Sequence, residues 1–204
     1  MKLMETDRNL LFDKQFRTEG ANFYKFRERS ERISVIAYFL VFFGALLRLI
    51  PHVPNFAPIA AIALFGGVYL SRKNALWVPL LAMVLSDFFI GFDSLESRLT
   101  VYGSFVLIGL VGLVVRKKKN IATILGGTLA GSILFYLITN FAFLYPTTMY
   151  SHDLNGIITS YINALPFFRN TLLGDLFYAG ALFGVYESVF LWKKRDLPVP
   201  VKMA

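Results

Sequence analysis

Between Ile33 and Trp192 the chain is almost continuously apolar, interrupted only by short polar segments. A helix at a protein surface needs a polar side facing water, and a strand buried on both faces usually ends by about eight residues. These runs meet neither condition, and lipid is the solvent that suits them. The predicted fold class is therefore all-α, a polytopic membrane protein of six transmembrane helices. The spans are Ile33–Ile50, Phe56–Leu70, Asn74–Phe92, Leu99–Val115, Ile121–Tyr145 and Thr171–Trp192. Most approach the roughly 20 residues that cross a bilayer as helix. The second is short, with Pro58 in its first turn and Gly66-Gly67 near its end. The fifth is long enough to tilt or to run past the hydrocarbon.

Residues 1–32 form a tail without the short apolar region of a secretory signal, so the first span is retained. Residues 33–192 form the membrane domain, and residues 193–204 a second tail. Within the domain, residues 146–170 are expected outside the bilayer. Leu154, Ile157, Ile158, Tyr161 and Ile162 recur there at helical spacing, which predicts an amphipathic helix over the outer face that Pro166 breaks.

Basic residues orient the bundle. The N-terminal tail holds eight Lys or Arg, Arg72 and Lys73 follow span two, Arg116 to Lys119 follow span four, and four more lie in the C-terminal tail. Those alternate segments hold 18 of the 21 basic residues, and the other side receives Arg48, Arg98 and Arg169. Cytoplasmic loops retain Lys and Arg, so both termini are expected inside, in a multi-pass protein of the cell's inner (cytoplasmic) membrane. Trp77 and Trp192 then fall at the inner interface, where indole rings are favoured. The net charge of +8 thus reports orientation and gives no reason to expect a nucleic-acid partner.

Charged and amide groups at membrane depth cost free energy and lean functional. In this orientation they gather at the outer ends of the helices. Arg48 closes span one, His52 and Asn55 follow it, and Asp87 lies in the outer third of span three. Asn140 stands near the outer end of span five, while Arg169, Asn170 and Asp175 open span six. These eight residues are the candidate substrate-binding set, a polar pocket open to the outside that receives a small solute. The outward N-termini of spans two and six would add unpaired N–H groups and positive dipole ends. The bland alternative is structural: Asn55 and Asn170 as N-caps, Asp175 as a first-turn acid, and Arg48 and Arg169 as buried partners of Asp87 and Asp175. Glu187, nearer the cytoplasm, stands apart. Phe56, Phe88, Phe89, Phe92, Tyr145, Phe167 and Phe168 are placed either to stack on a ring-bearing solute or to form an interfacial belt. Ala57-x3-Ala61, Ala63-x3-Gly67, Gly127-x3-Gly131 and Gly180-x3-Gly184 allow close helix approach, within the chain or with a partner.

Catalytic signatures are missing. The sequence holds no P-loop, no HExxH and no cysteine, and only His52 and His152 as histidines. No histidine lies at membrane depth to activate Ser104 or Ser132. Neither an enzyme nor a metal or other cofactor is expected.

The run Arg48-Leu-Ile-Pro-His-Val-Pro-Asn-Phe56, the stretch Ala57-Pro-Ile to Gly66-Gly67, Pro79 to Ser86-Asp87, and Pro166-Phe-Phe-Arg-Asn-Thr-Leu-Leu-Gly-Asp175 carry a resemblance. Together they resemble an uncharacterised family of bacterial membrane proteins grouped with the substrate-binding (S) components of energy-coupling-factor (ECF) transporters. The resemblance runs from about Arg48 to Glu187. It implies a binding subunit for a vitamin or micronutrient, with its site facing outward. Its implied partners are a coupling membrane protein and ATPase subunits that supply the energy. The Ala-x3-Ala docking pattern of many S components is absent from span one, where Ala37 and Ala45 stand. The alternative expectation is a non-transporting structural or accessory subunit of a larger membrane complex, with the Gly/Ala faces as contact surfaces.

Overall fold

The computed structural model describes residues 35–50, 53–92 and 94–195. The N-terminal tail, residues 196–204 of the C-terminal tail, His52, and the first residues assigned to span one lie outside them. Among the described residues the chain is all-helical, with no strand. Six α-helices follow in order: α1 (Val35–Leu47), α2 (Ile59–Tyr69), α3 (Asn74–Ile90), α4 (Leu95–Lys117), α5 (Ile121–Thr139) and α6 (Leu154–Arg195), with one 3-10 turn at Ala142–Leu144. Two of them, α4 and α5, are long and apolar enough to cross a membrane by length and composition.

The short α2 is the centre of the bundle. Every residue from Ala60 to Val68 is buried, and α4, α3, α6 and α5 all pack on it. Its closest neighbour is α4. A Cβ built on Gly67 would stand 2.3 Å from the Gly109 carbonyl oxygen and 2.8 Å from the Gly112 Cα. The two backbones therefore touch, which only glycine on both sides allows. At its C-terminal end, orphan carbonyls are satisfied by a side chain from α4. Arg116 Nε donates to Val68 O at 2.9 Å, and its Nη2 donates to Leu70 O. A ring cluster of Phe65, Tyr69, Phe183 and Tyr186 joins α2 to α6.

Small and large side chains share the core, and many large apolar ones also face outward. Ala60, Ala61, Ala63, Ala75, Ala82 and Ser132 are buried, while Trp77, Phe88 and Phe89 are 73–74% exposed. Apolar residues on α4 and α5, such as Val114, Ile121, Leu125 and Ile133, also face outward. Only 33% and 22% of the apolar windows of α4 and α5 are buried. The core helix of a soluble domain is mostly buried, and these two are not.

Helix ends follow local chemistry. Ser94 caps α4 by accepting from the Ser97 N–H at 3.2 Å, so the helix begins at Leu95 and not at the expected Leu99. Asn120 and Thr123 form a reciprocal capping box at the start of α5. Gly91 ends α3 at φ +106°, a conformation that other residues rarely adopt.

Two expectations need correction. The fifth span does not run on to Tyr145, because α5 ends at Thr139 and a loop with the 3-10 turn follows. Nor does Pro166 break the chain before span six, for it lies inside the continuous 42-residue α6. Pro166 forfeits one helical hydrogen bond, but the helix is held on α5 on both sides of it. Tyr136 donates to Tyr161 O and Tyr161 to Leu137 O, each at 2.7 Å, and the rings of Tyr136 and Phe168 lie 4.6 Å apart.

Candidate functional site

Two loops, the ends of α4 and α5 and the middle of α6 shape one polar, ring-lined cavity. The loop before α2 contributes Asn55, which takes φ +63°, a value that asparagine tolerates better than most residues. Asn170 Nδ2 on α6 donates to Pro54 O at 3.1 Å and ties this loop down. The end of α5 contributes Thr139 and Asn140, the latter turned back to donate to Tyr136 O at 2.9 Å. The loop after α5 folds over through Tyr145, whose hydroxyl donates to Thr139 O at 2.9 Å, and His152, whose Nε2 lies 2.9 Å from Tyr145 O. The rings of Phe143 and His152 stack beside it.

These elements enclose a cavity of about 270 Å³. Its polar lining includes Asn55, Glu96, Thr100, Thr139, Asn140 and Thr171, and its rings are Phe135, Tyr136, Tyr145, Phe167 and Phe168. A second space of about 280 Å³, bounded by Tyr150, Ser160 and Asn163, shares Asn55, Asn140, Tyr145 and Phe167 with it. A third, of about 80 Å³, shares Asn55, Phe135 and Thr171 and reaches inward to Asp175. The three together resemble small-molecule sites, with concave ring-lined walls and a few convergent polar groups. At its N-terminal end, α6 is fixed by Asp153. Its Oδ1 accepts from the Gly156 N–H at 2.8 Å and from the Ser151 hydroxyl at 2.7 Å, and these bonds hold its carboxyl below the usual carboxylate range.

The eight residues expected to share one pocket separate. Asn55, Asn140 and Asp175 line the connected cavities, and Asn170 supports the loop beside them. Arg169 is exposed and is not among the lining residues. His52 lies outside the described residues. Arg48 and Asp87 meet each other instead, at 2.7 Å. Tyr102 donates to Asp87 at 2.5 Å, and Arg48 donates to Ser86 Oγ at 2.5 Å. The pair borders a different space of about 360 Å³ that also holds Arg98 and Phe92. Arg98 lies over the Phe92 ring.

Two structural alternatives are also revised. Asn170 cannot be an N-cap, and Asp175 is no first-turn acid, because both sit well inside α6. For the same reason α6 presents no N-terminus to the pocket at residue 171. Among the proposed stacking rings, Tyr145, Phe167 and Phe168 line the cavity. Phe88 and Phe89 are exposed, and Phe56 packs on Phe177 and Tyr178. Glu96, Thr100, Phe135 and Tyr136 were not foreseen. The signal for Glu96 was present in Ser94, whose capping position draws the next residues into α4. At the opposite end of the bundle, Glu187 accepts from Tyr69 and pairs with Lys119 at 2.5 Å. Among the described residues no group of acids and histidines is placed to hold a metal ion.

Fold and site thus define an all-helical bundle with a small, ring-lined polar cavity at one end. The chain belongs to a family of unknown function, DUF6580, whose model matches residues 27–199. It matches no curated protein and no solved structure.

Proposed function

We propose that this chain is an integral membrane protein of six transmembrane helices with both termini in the cytoplasm, and that its cavity captures a small solute from the outer side. The many exposed large apolar side chains and the glycine contact of α2 with α4 support the membrane reading, because in lipid helices approach through small residues and turn apolar ones outward. Trp77 and Trp192, both largely exposed, fit an inner interfacial belt. The α2 helix, at roughly 16 Å too short to cross alone, fits the broken helices that border solute sites in transporters.

The observation that carries the solute reading is the cavity bounded by Asn55, Asn140, Thr171 and five aromatic rings. The chain then serves as the substrate-binding subunit of an ECF-type transporter for a vitamin-class solute. A coupling protein and ATPases supply the energy, since the sequence holds no nucleotide motif. Purified protein should bind solute in detergent and fail to accumulate it in proteoliposomes under a proton or sodium gradient. Accumulation that requires added coupling protein, ATPases and ATP supports the proposal. Gradient-driven accumulation by the chain alone defeats it and indicates a secondary transporter.

An accessory subunit of a larger membrane complex is the second reading. It is favoured by Gly180 and Gly184, beside which a Cβ would meet nothing within 4 Å. Gentle purification from the native membrane separates the two: copurifying ATPases support transport, and a different stable complex supports the accessory role.

A further inference from the structure

Asp175 is the most buried acid among the described residues, at 2% exposure. The hydrogen bond it receives comes from the Ser132 hydroxyl at 2.7 Å. That hydroxyl has a single proton and also lies 3.1 Å from Thr128 O, so the bond is shared. No Lys, Arg or His among the described residues forms an ion pair with Asp175. The contrast with the other acids at depth is plain. Asp87 has Arg48 and Tyr102, and Glu187 has Lys119 and Tyr69. A buried carboxylate is normally paired and fully hydrogen-bonded. Asp175 is neither, and it borders the innermost space, about 80 Å³ between Ala57, Ala60, Phe105 and Phe135.

That space has room for one small group and shares Asn55, Phe135 and Thr171 with the ring-lined cavity. None of the described residues lining the three connected spaces is a Lys, Arg or His. The one other acid, Glu96, stands exposed in the outer cavity. The site therefore has an acid at its outer wall and an unpaired carboxyl at its floor, with aromatic faces between them. Aromatic faces attract cations, and a cation placed beside a buried, unpaired carboxyl favours its ionised form and supplies the missing partner. Among the described residues lining these spaces an anionic solute meets no cation. Arg48 and Arg98 border the space that shares Ser97 and Val101 with the outer cavity, the first paired with Asp87 and the second over the Phe92 ring.

We propose that the captured solute is a ring-bearing organic cation, with its ring among Tyr136, Phe167 and Phe168 and its charged nitrogen against Asp175. This rests on the cavity being the solute site. The test uses the full-length protein in detergent and a library of small ring compounds divided equally among cations, neutral molecules and anions. Binding is read as a rise in Tm and then titrated. Compounds that bind should be concentrated among the cations, and Asp175→Asn should weaken them at least tenfold. Asp175→Glu should recover part of the loss.

The charge distribution of compounds that bind wild-type protein is informative even if Asp175→Asn fails to fold. Binding mainly by neutral or anionic compounds overturns the cation proposal. So does binding by cations whose affinity is unchanged in a folded Asp175→Asn. In either case, if Phe167→Ala abolishes binding, the cavity remains the solute site. If no compound of any class binds, the cation proposal and the solute reading fall together.

Discussion

Arg48 and Asp87 join three helices. The guanidinium at the end of α1 lies 2.7 Å from the α3 carboxylate, and Tyr102 on α4 donates to that carboxylate at 2.5 Å. Both charged side chains are nearly buried, at 13% and 12% exposure. Removing one member of such a pair strands the other at a cost of about 3–5 kcal/mol, whereas replacing both with apolar residues is often close to neutral. Arg48→Met should therefore lower stability strongly, and Arg48→Met with Asp87→Leu should recover most of it. Neither residue lines the solute cavity, so the double variant should keep wild-type solute affinity. Thermal unfolding and binding measured on the same preparations check both points, and a folded double variant that no longer binds would return the pair to the site.

Orientation follows from the split of basic residues, and the absence of native cysteine gives a clean readout. Thr148 and Lys118 are both exposed, in loops at opposite ends of α5. Thr148→Cys should react with a membrane-impermeant thiol reagent in intact cells. Lys118→Cys should react only after the cells are permeabilised. The reverse pattern would move the cavity to the cytoplasmic side and defeat capture from outside.

The start of α6 should respond to acid. The Gly156 N–H and the Ser151 hydroxyl hold the Asp153 carboxyl below its ordinary range. A group whose folded pKa is depressed contributes stability above its unfolded value, about 3.9, and loses it as pH falls through the folded value. The cap should therefore be intact from pH 5 to 8 and loosen only in stronger acid. Hydrogen exchange at the Gly156 amide measures it. Protection should stay level across pH 5–8 in the wild type and be lower throughout that range in Asp153→Ala.

What was legible in the sequence divides by the kind of information a residue carries. The apolar runs of α4 and α5 were plain, because both helices carry apolar residues on exposed as well as buried faces along their length. Asn55, Asn140 and Asp175 could be picked out because polar groups are rare at that depth and so reveal themselves singly. Phe135, Tyr136 and Thr100 could not, since an aromatic or a threonine in an apolar helix is ordinary. Which way each one faces depends on how the helices rotate against one another. The continuity of α6 through Pro166 was hidden because Pro166 and the polar Arg169-Asn170 step look like a helix boundary. Contacts of Tyr136 with Tyr161 and Phe168 carry the helix through, and they join residues far apart in the chain. The pairing of Arg48 with Asp87 was weighed as one reading of two, and only the geometry separated that pair from the cavity.

Gly67 gives the sharpest test of the packing. Ala63-x3-Gly67 was visible as a small-residue pattern, but its partners Gly109 and Gly112 on α4 were not singled out. A Cβ at Gly67 would meet a backbone carbonyl at 2.3 Å and a backbone Cα at 2.8 Å, and neither can rotate away as a side chain can. The helices would have to separate, and α2 is packed on four neighbours that resist such a shift. Overpacking of this kind costs about 1–3 kcal/mol, at times more. Gly67→Ala should therefore lower the Tm measurably, Gly67→Leu should lower it further, and Gly112→Ala should behave like Gly67→Ala. Gly126→Ala is the control, because a Cβ there meets nothing within 4 Å and alanine is the better helix former by about 0.5–1 kcal/mol. That variant should be neutral or slightly stabilised. Equal Tm values for Gly67→Ala and Gly126→Ala would show that α2 and α4 are not in backbone contact.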